Sequence, residues 1–300
     1  MLNVFKQIWK RRYHPALESH LSVFTVSEAI KPMNNAQFED ADSLLETAYD
    51  WLSAQQNSHS MRNIGHYPIL GSYCSERPYF ESPVAKRDFT GHLNQQLSVG
   101  AMPMVITNCH ETLLDIIPNL LVDKDEIGIV NINSELLLDQ CLDITVGSML
   151  HFALNRYNEC RAFHIGIDNH RCNKKQLEYA EDMGCDWLLS NEVIYRNRAM
   201  IKEQLARFIS HCDKLVVTID LPSISRHNSN LEKHKLDVAM VLRVLRQCLA
   251  SDKVLLVQLV GSKEQHIYSK LPNFLFRKRD CFFPNQVTVI LGNERETFRR

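Results

Sequence analysis

Two short segments hold the side chains of this chain that are best suited to chemistry. Residues 108–112 read Asn-Cys-His-Glu-Thr, and residues 216–222 read Val-Val-Thr-Ile-Asp-Leu-Pro. Each segment comes at the end of a short apolar run. Imidazole nitrogens and carboxylate oxygens are common ligands of divalent transition metals. His110 and Asp220 are therefore candidates for a metal site, provided that the fold brings them together.

From residue 101 onward, the sequence alternates between short apolar runs and helical stretches. Apolar, β-branched runs lie at 104–107, 127–132, 162–167, 187–189, 215–221, 254–260 and 287–291. Helical periodicity is found between them, at 111–121, 147–156, 174–183, 193–210 and 231–249. Unalternating strands separated by helices are typical of a parallel sheet buried on both faces. The pattern predicts an α/β protein, a three-layer α-β-α sandwich around a doubly wound, mainly parallel sheet.

Ligand sites in such sheets form at the carboxyl ends of the strands. His110, Asp220 and the pair Asn133 and Glu135 each fall at or just past the end of a predicted strand. We therefore expect these residues to lie at one edge of the sheet.

The first hundred residues are less regular. The spacing of Leu44, Leu45, Ala48 and Leu52 predicts one amphipathic helix over 40–56. Residues 57–100 are compatible with loops, with a strand or two, or with a covering element. We predict that 1–100 is a divergent part of the same domain as the 101–300 core.

Taken in order, these motifs resemble those of the ureohydrolase family, which comprises arginases, agmatinases and formimidoylglutamases. The likeness spans residues 101–292, and the formimidoylglutamase branch matches it best through the His-Glu-Thr that starts at His110 and the Thr-Ile-Asp-Leu that starts at Thr218. In that family a hydroxide bridging two manganese ions attacks a guanidino or formimino carbon. The resemblance implies an arginase-like fold and assembly as a homo-oligomer, a trimer or a hexamer.

The family holds its two ions with side chains at six ligand positions. The resemblance implies that several of the corresponding residues in this chain are not metal ligands. The six positions hold His110, Asn133, Glu135, Leu137, Asp220 and Pro222, and the family's substrate-binding glutamate corresponds to Gln258. Asparagine is a poor bridging ligand, and leucine and proline side chains cannot coordinate a metal. The resemblance therefore implies loss of the binuclear manganese site, no resident cofactor and no catalysis, in a protein that serves as a scaffold, subunit or small-molecule binder.

Two alternatives stay open at this point. His110, Asp220 and Glu135 could hold one Zn²⁺ or Mn²⁺ weakly, and the chain could be a hydrolase of C–N bonds in a guanidino or formimino substrate with an altered metal site. Cys109 next to His110 raises the idea of a thiol nucleophile, but a buried free cysteine is the commoner situation.

The composition argues against nucleic-acid and membrane partners, and it predicts the cellular compartment. A formal net charge of −1 and a pI near 6.9 provide no field that would attract nucleic acid or an anionic membrane. No apolar run approaches the roughly 20 residues of a membrane span. The nine cysteines form no C-x-x-C pair, which predicts reduced thiols and a cytoplasmic location.

Overall fold

A computed structural model describes residues 21–54, 61–70, 82–121, 125–224 and 235–261. Within these ranges eight strands form one sheet in the order β2-β1-β3-β8-β7-β4-β5-β6, and every neighbouring pair is parallel. The strands are β1 Leu21–Glu28, β2 Met61–Ile69, β3 Met102–Thr107, β4 Ile127–Ile132, β5 Cys160–Ile167, β6 Asp186–Leu189, β7 Lys214–Asp220 and β8 Val254–Val260.

Seven helices occupy the described crossovers. They are α1 Asn35–Ala54, α2 Ser82–Ser98, α3 Leu113–Leu120, α4 Met149–Arg156, α5 Lys174–Asp182, α6 Arg198–Ser210 and α7 Val238–Ala250, and short 3₁₀ turns cover His110–Thr112, Tyr195–Asn197 and Leu221–Ser223. None of the helices in the described ranges is both long and apolar enough to cross a bilayer.

The helices cover both faces of the sheet. One core cluster joins the sheet to apolar residues of α1, α6 and α7, such as Leu44, Leu205 and Val244. The other joins the opposite face to α2, α3, α4 and α5, through residues such as Phe89 and Ile116. The predicted three-layer α/β sandwich is therefore confirmed, with a sheet that is parallel throughout the described part.

The predicted strands between 104 and 260 are all present, whereas the predicted strand at 287–291 lies outside the described residues. The helix expected over 40–56 starts earlier, at Asn35. Two further expectations differ in their first turn, because the segments at 111–121 and 193–210 each open with a 3₁₀ turn before the α-helix. The helix expected over 231–249 begins at Val238. The first hundred residues also add β1 and β2 to the sheet, next to β3.

Candidate functional site

His110 lies in the turn that follows β3 and is almost completely buried. Its Nε2 is 3.2 Å from Asn133 Nδ2 and 3.5 Å from Asp220 Oδ1, and its Nδ1 is 3.3 Å from Thr218 Oγ1. The ends of β3, β4 and β7 thus bring three of the residues predicted from sequence into contact. Asn133 Oδ1 accepts the Glu135 N–H at 3.0 Å, so the Asn133 amide nitrogen is the group that faces His110. Both ring nitrogens of His110 therefore lie within hydrogen-bond reach of a neutral polar side chain, Asn133 on one side and Thr218 on the other.

The Asp220 carboxylate accepts hydrogen bonds from the turn that follows it. It is the N-cap of the 3₁₀ turn Leu221–Ser223, and its Oδ2 accepts the Ser223 N–H at 3.1 Å and the Ser223 hydroxyl at 2.6 Å. Pro222 occupies the first turn, where a missing N–H costs nothing. Sequence reasoning missed Ser223. The available signal was the sequence Asp-Leu-Pro-Ser, in which an aspartate N-cap is followed by a proline in the first turn and then by this serine.

Glu135 does not join this group. Its Oε1 accepts a hydrogen bond from Arg171 Nη1 at 3.1 Å, and its side chain is 47% exposed. Its backbone, and not its carboxylate, reaches the site, through the N–H that donates to Asn133 and the carbonyl that faces Asn131. The carboxylate that seemed the best substitute ligand in the sequence therefore points toward solvent and a guanidinium.

Leu137 is buried and has a positive φ of 56°. Its carbonyl accepts the N–H groups of Leu150 at 2.9 Å and His151 at 3.3 Å, at the start of α4. These backbone bonds hold the loop after β4 against α4. The side chain itself provides packing and no donor atom.

Gln258 belongs to a row of four buried polar side chains that crosses the middle of the sheet. The row runs Gln258, Thr218, Asn131, His164 on β8, β7, β4 and β5, and each is in register with the next. All four are fully buried. Strand alternation places them on the α2–α5 face. Sequence reasoning missed the row, although its signal is a polar residue inside each apolar run.

Hydrogen bonds connect this polar row to the site above it. Gln258 Nε2 donates to the carbonyls of Cys109 and His110, both at 3.4 Å, and Thr218 contacts His110 as described. Asn131 Nδ2 reaches the Glu135 carbonyl at 3.4 Å and His164 Nδ1 at 3.1 Å. Burial lowers the pKa of His164 to about 3, so this imidazole is neutral at physiological pH.

A second buried group lies beside the first motif. Glu28, at the end of β1, accepts the Thr112 hydroxyl at 2.8 Å, and the Cys109 sulfur is 3.7 Å from the same carboxylate oxygen. Burial, then repulsion from Asp115, raises the pKa of Glu28 to about 7. Burial and the two nearby carboxylates, Glu28 and Glu111, raise the pKa of the Cys109 thiol well above its usual range. A protonated, fully buried thiol is a poor nucleophile.

The donor atoms that remain do not fit two manganese ions. The His110 ring nitrogens are occupied by Asn133 and Thr218, and Asp220 Oδ2 accepts two bonds from Ser223. In the ranges that the structure describes, no group of three or more His, Cys, Asp or Glu side chains is arranged to hold a metal ion. Hydrogen bonds join the residues of the site, although Asn131 Oδ1, His164 Nε2 and Gln258 Oε1 in the row beneath it are buried without a partner among the described residues.

Comparison with known proteins gives a clear result for the fold alone. No family model matches the sequence, and no curated protein matches it either. Among solved structures, arginase from Bacillus cereus superposes with a TM-score of 0.66 at 13% identity, over 92% of this chain and 99% of that one.

Two further solved structures give similar agreement. Formimidoylglutamase from Bacillus subtilis aligns at 11% identity with a TM-score of 0.62, over 93% of this chain and 88% of that one. A variant of Trypanosoma cruzi formiminoglutamase with Mn²⁺ aligns at 11% identity with a TM-score of 0.63, over 96% of both chains. The chain therefore has the fold of the arginases and formimidoylglutamases.

Proposed function

We propose that this chain is a ureohydrolase homologue that has lost the binuclear manganese site and is catalytically inactive, acting as a scaffold, a subunit or a small-molecule-binding protein. The observation that carries the proposal is the engagement of Asp220 by the N–H and hydroxyl of Ser223. Both bonds fall on Oδ2, so this carboxylate has only Oδ1, 3.5 Å from His110 Nε2, to offer an ion without giving up a hydrogen bond.

The remaining ligand positions support the same conclusion. Asn133 is neutral, Leu137 and Pro222 carry no donor, and Glu135 is paired with Arg171 outside the site. Hydrolysis by two metals requires that the pair hold a bridging water and lower its pKa. A buried site with one carboxylate leaves two divalent cations largely uncompensated, so it cannot replace their hydration shells.

Gln258 supports loss of the family's substrate contact. A glutamate at this position would offer a charged acceptor to a cationic guanidino or amidine group. Gln258 instead donates to the carbonyls of Cys109 and His110, so its amide stabilises the turn after β3. A neutral amide inside the sheet gives a cationic substrate much less electrostatic attraction than a carboxylate would.

The test is a combined measurement of metal content and turnover. After Mn²⁺ incubation and desalting, the protein should retain far less than two metal equivalents. It should release no detectable urea from arginine or agmatine and no formamide from formiminoglutamate, with an active arginase as the positive control. Pro222→Asp alone should not restore activity, because Asn133, Glu135 and Leu137 stay unchanged.

Two results would decide against this proposal. Retention of two manganese ions would overturn the assignment of the ligand positions. Mn²⁺-dependent turnover of any of these substrates by the unmodified chain would instead favour the altered-site hydrolase, in which His110 and Asp220 hold one metal.

The proposal also includes a reducing compartment, the cytoplasm. Its support is that the seven cysteines in the described ranges are all free thiols. Burial raises the pKa of several of them, including Cys160, Cys185 and Cys248, each to about 12. Thiols of this kind serve as small apolar core residues.

A further inference from the structure

The groove between α6 and α7 is lined by basic side chains. Helices α6 and α7 pack on each other, and Gln247 Nε2 on α7 donates to the Lys202 carbonyl on α6 at 2.7 Å. One turn earlier on each helix, Arg243 and Arg198 both contact the ring of Tyr195, which lies just before α6. The two helices therefore run in the same direction. Arg198, Lys202, Arg243 and Tyr195 line the groove between them, and we call these four residues the basic groove.

The positive charges of the basic groove have no counter-charge in the described part of the chain. Its two arginines and its lysine are exposed, and no described carboxylate lies within ion-pair distance of their charged groups. Two carboxylates on the same stretch of chain are used elsewhere. Glu203 pairs with Arg207 at 3.6 Å, and Glu192 accepts the Leu189 N–H at 2.8 Å. The basic groove is therefore a positive surface that the described residues do not balance.

The two arginines of the basic groove are held in place by Tyr195. The guanidinium carbons of Arg198 and Arg243 lie 4.4 Å and 5.0 Å from the centre of its ring, and Arg198 Nη1 also donates to the Tyr195 carbonyl at 3.1 Å. Because both groups contact one ring, two like charges lie near each other and repel. A carboxylate bound between them would offset this repulsion and accept paired N–H bonds from a guanidinium. Part of the entropy cost of ordering the arginines against such a partner is already met in the free protein.

We propose that the basic groove binds an acidic, extended peptide segment of a partner protein. Arg198 and Lys202 are four residues apart on α6, which is about 6 Å along the helix at about 1.5 Å per residue. Alternate side chains of an extended peptide lie on one side of it and are roughly 6.6 Å apart. Acidic residues at alternate positions can therefore meet Arg198 and Lys202 in turn, while Arg243 faces them from α7. The inference uses none of the residues of the former metal site, and it holds whether or not that site is active.

The surface next to the basic groove also suits a peptide. Ile194 and Tyr195 are exposed at 45% and 56%, so an apolar residue beside the acidic ones has an apolar surface to contact. Tyrosine and arginine are enriched where protein interfaces bury side chains. The basic groove therefore combines charge for the acidic residues with apolar contact for a neighbouring residue.

The chemistry of the basic groove favours a protein partner over nucleic acid. A single-stranded nucleic acid would need free aromatic faces for stacking, but the Tyr195 ring already carries two guanidinium groups. The overall charge of −1 adds no general attraction for polyanions. Carboxylates on a short peptide need only the few charges that the groove provides.

The test measures binding of a fluorescent peptide to the full chain by fluorescence anisotropy. The probe is about eight residues long, roughly 26 Å when extended, and alternates glutamate with serine after an N-terminal leucine. A second probe has glutamine in place of every glutamate. We expect saturable binding of the acidic probe, and binding of the glutamine probe that is at least about tenfold weaker. Raising the salt from about 0.05 M to about 0.5 M should also weaken binding of the acidic probe, because the screening length falls from above about 10 Å to a few Å.

Two arginine substitutions locate the binding surface. Arg198→Gln with Arg243→Gln removes both guanidinium groups and should weaken binding of the acidic probe at least about tenfold. Lys202→Gln alone should have a smaller effect, because an ammonium group does not form the paired bonds of a guanidinium. The matched control Lys174→Gln with Lys175→Gln removes two positive charges from α5, on the opposite face of the sheet, and should leave binding unchanged.

Circular dichroism and thermal unfolding would show that every variant is folded. Failure of the acidic probe to bind, equal binding of the glutamine probe, unchanged affinity of the double arginine variant, or an equal loss in the α5 control would each overturn the proposal. Tighter binding of a single-stranded oligonucleotide than of the acidic probe would also overturn it, because the basic groove would then be a nucleic-acid surface.

Discussion

Replacing Glu28 with glutamine should stabilise the protein at neutral and alkaline pH and change it little at acid pH. Glu28 lies at the end of β1, where its carboxylate accepts the Thr112 hydroxyl at 2.8 Å. Burial is the largest cause of its raised pKa, repulsion from Asp115 and Glu111 adds to it, and the Thr112 hydrogen bond and Lys86 partly oppose it. Glutamine keeps an oxygen acceptor for Thr112 without the buried charge.

The sign and size of the change in unfolding free energy follow from the two pKa values of Glu28. Since the folded pKa is about 7 and the ordinary value is 4.5, the folded state holds this proton more tightly than the unfolded state does. The associated stability is complete below pH 4.5 and is lost as pH rises toward and through about 7, beyond which the loss is constant. At about 1.4 kcal/mol per pH unit, this window corresponds to a loss of roughly 3 kcal/mol.

The assay is urea unfolding of wild type and Glu28→Gln between about pH 5 and about pH 8, with the midpoint and slope fitted at each pH. The difference between the two proteins should grow in favour of the variant as pH rises, because every other titrating group is common to both. Glu181→Gln, an exposed change on α5, is the control and should follow wild type. Parallel stability curves for wild type and Glu28→Gln would refute the reasoning.

Two substitutions test packing and hydrogen bonding elsewhere. Ser223→Ala removes the 2.6 Å bond to Asp220 and also the oxygen that accepts the Ser134 N–H at 2.9 Å. Because hydrogen bonds to charged groups contribute about 1.5–3 kcal/mol, urea unfolding should show a loss of at least that order, which Ser223→Thr should largely recover. A loss below about 0.5 kcal/mol would mean that the Ser223 hydroxyl contributes little to the cap. Gly128→Ala places a methyl 2.5 Å from Cys212 Sγ and should cost about 1–3 kcal/mol in thermal unfolding, whereas Gly91→Ala on α2, with open space around it, should be neutral or stabilising. Equal melting temperatures for the two alanine variants would contradict this account of crowding at β4.

The part of the fold that could be predicted from sequence is the part whose strands are continuous apolar runs. Strand β1 escaped prediction because Ser22, Thr25 and Ser27 interrupt its apolar residues, as in a half-exposed strand. All three are nevertheless buried, and their hydroxyls pair with Gln96, His66 and Asp42. Those partners lie on other elements, so the local sequence of β1 does not indicate that its polar side chains are buried.

The candidate site shows the same division. The proximity of His110, Asn133 and Asp220 could be predicted from the positions of the strand ends, because parallel strands have their carboxyl ends at one edge of the sheet. The directions of side chains in the following turns could not be predicted in this way. Glu135 turns out to Arg171, and Ser223 turns back to Asp220, in each case because a turn sets the angle at which the side chain leaves the chain.

The polar row across β8, β7, β4 and β5 has a consequence for how the sheet finds its alignment. In a sheet with apolar cover on both faces, sliding a strand by one residue exchanges one apolar side chain for another, so hydrophobicity alone discriminates poorly between alignments. Sliding β4 by one residue would carry Asn131 into the opposite core and separate it from His164. An amide buried without its partners costs about 1–3 kcal/mol. The four polar side chains therefore favour the native register, because misaligned pairings of the central strands would leave them buried without their partners.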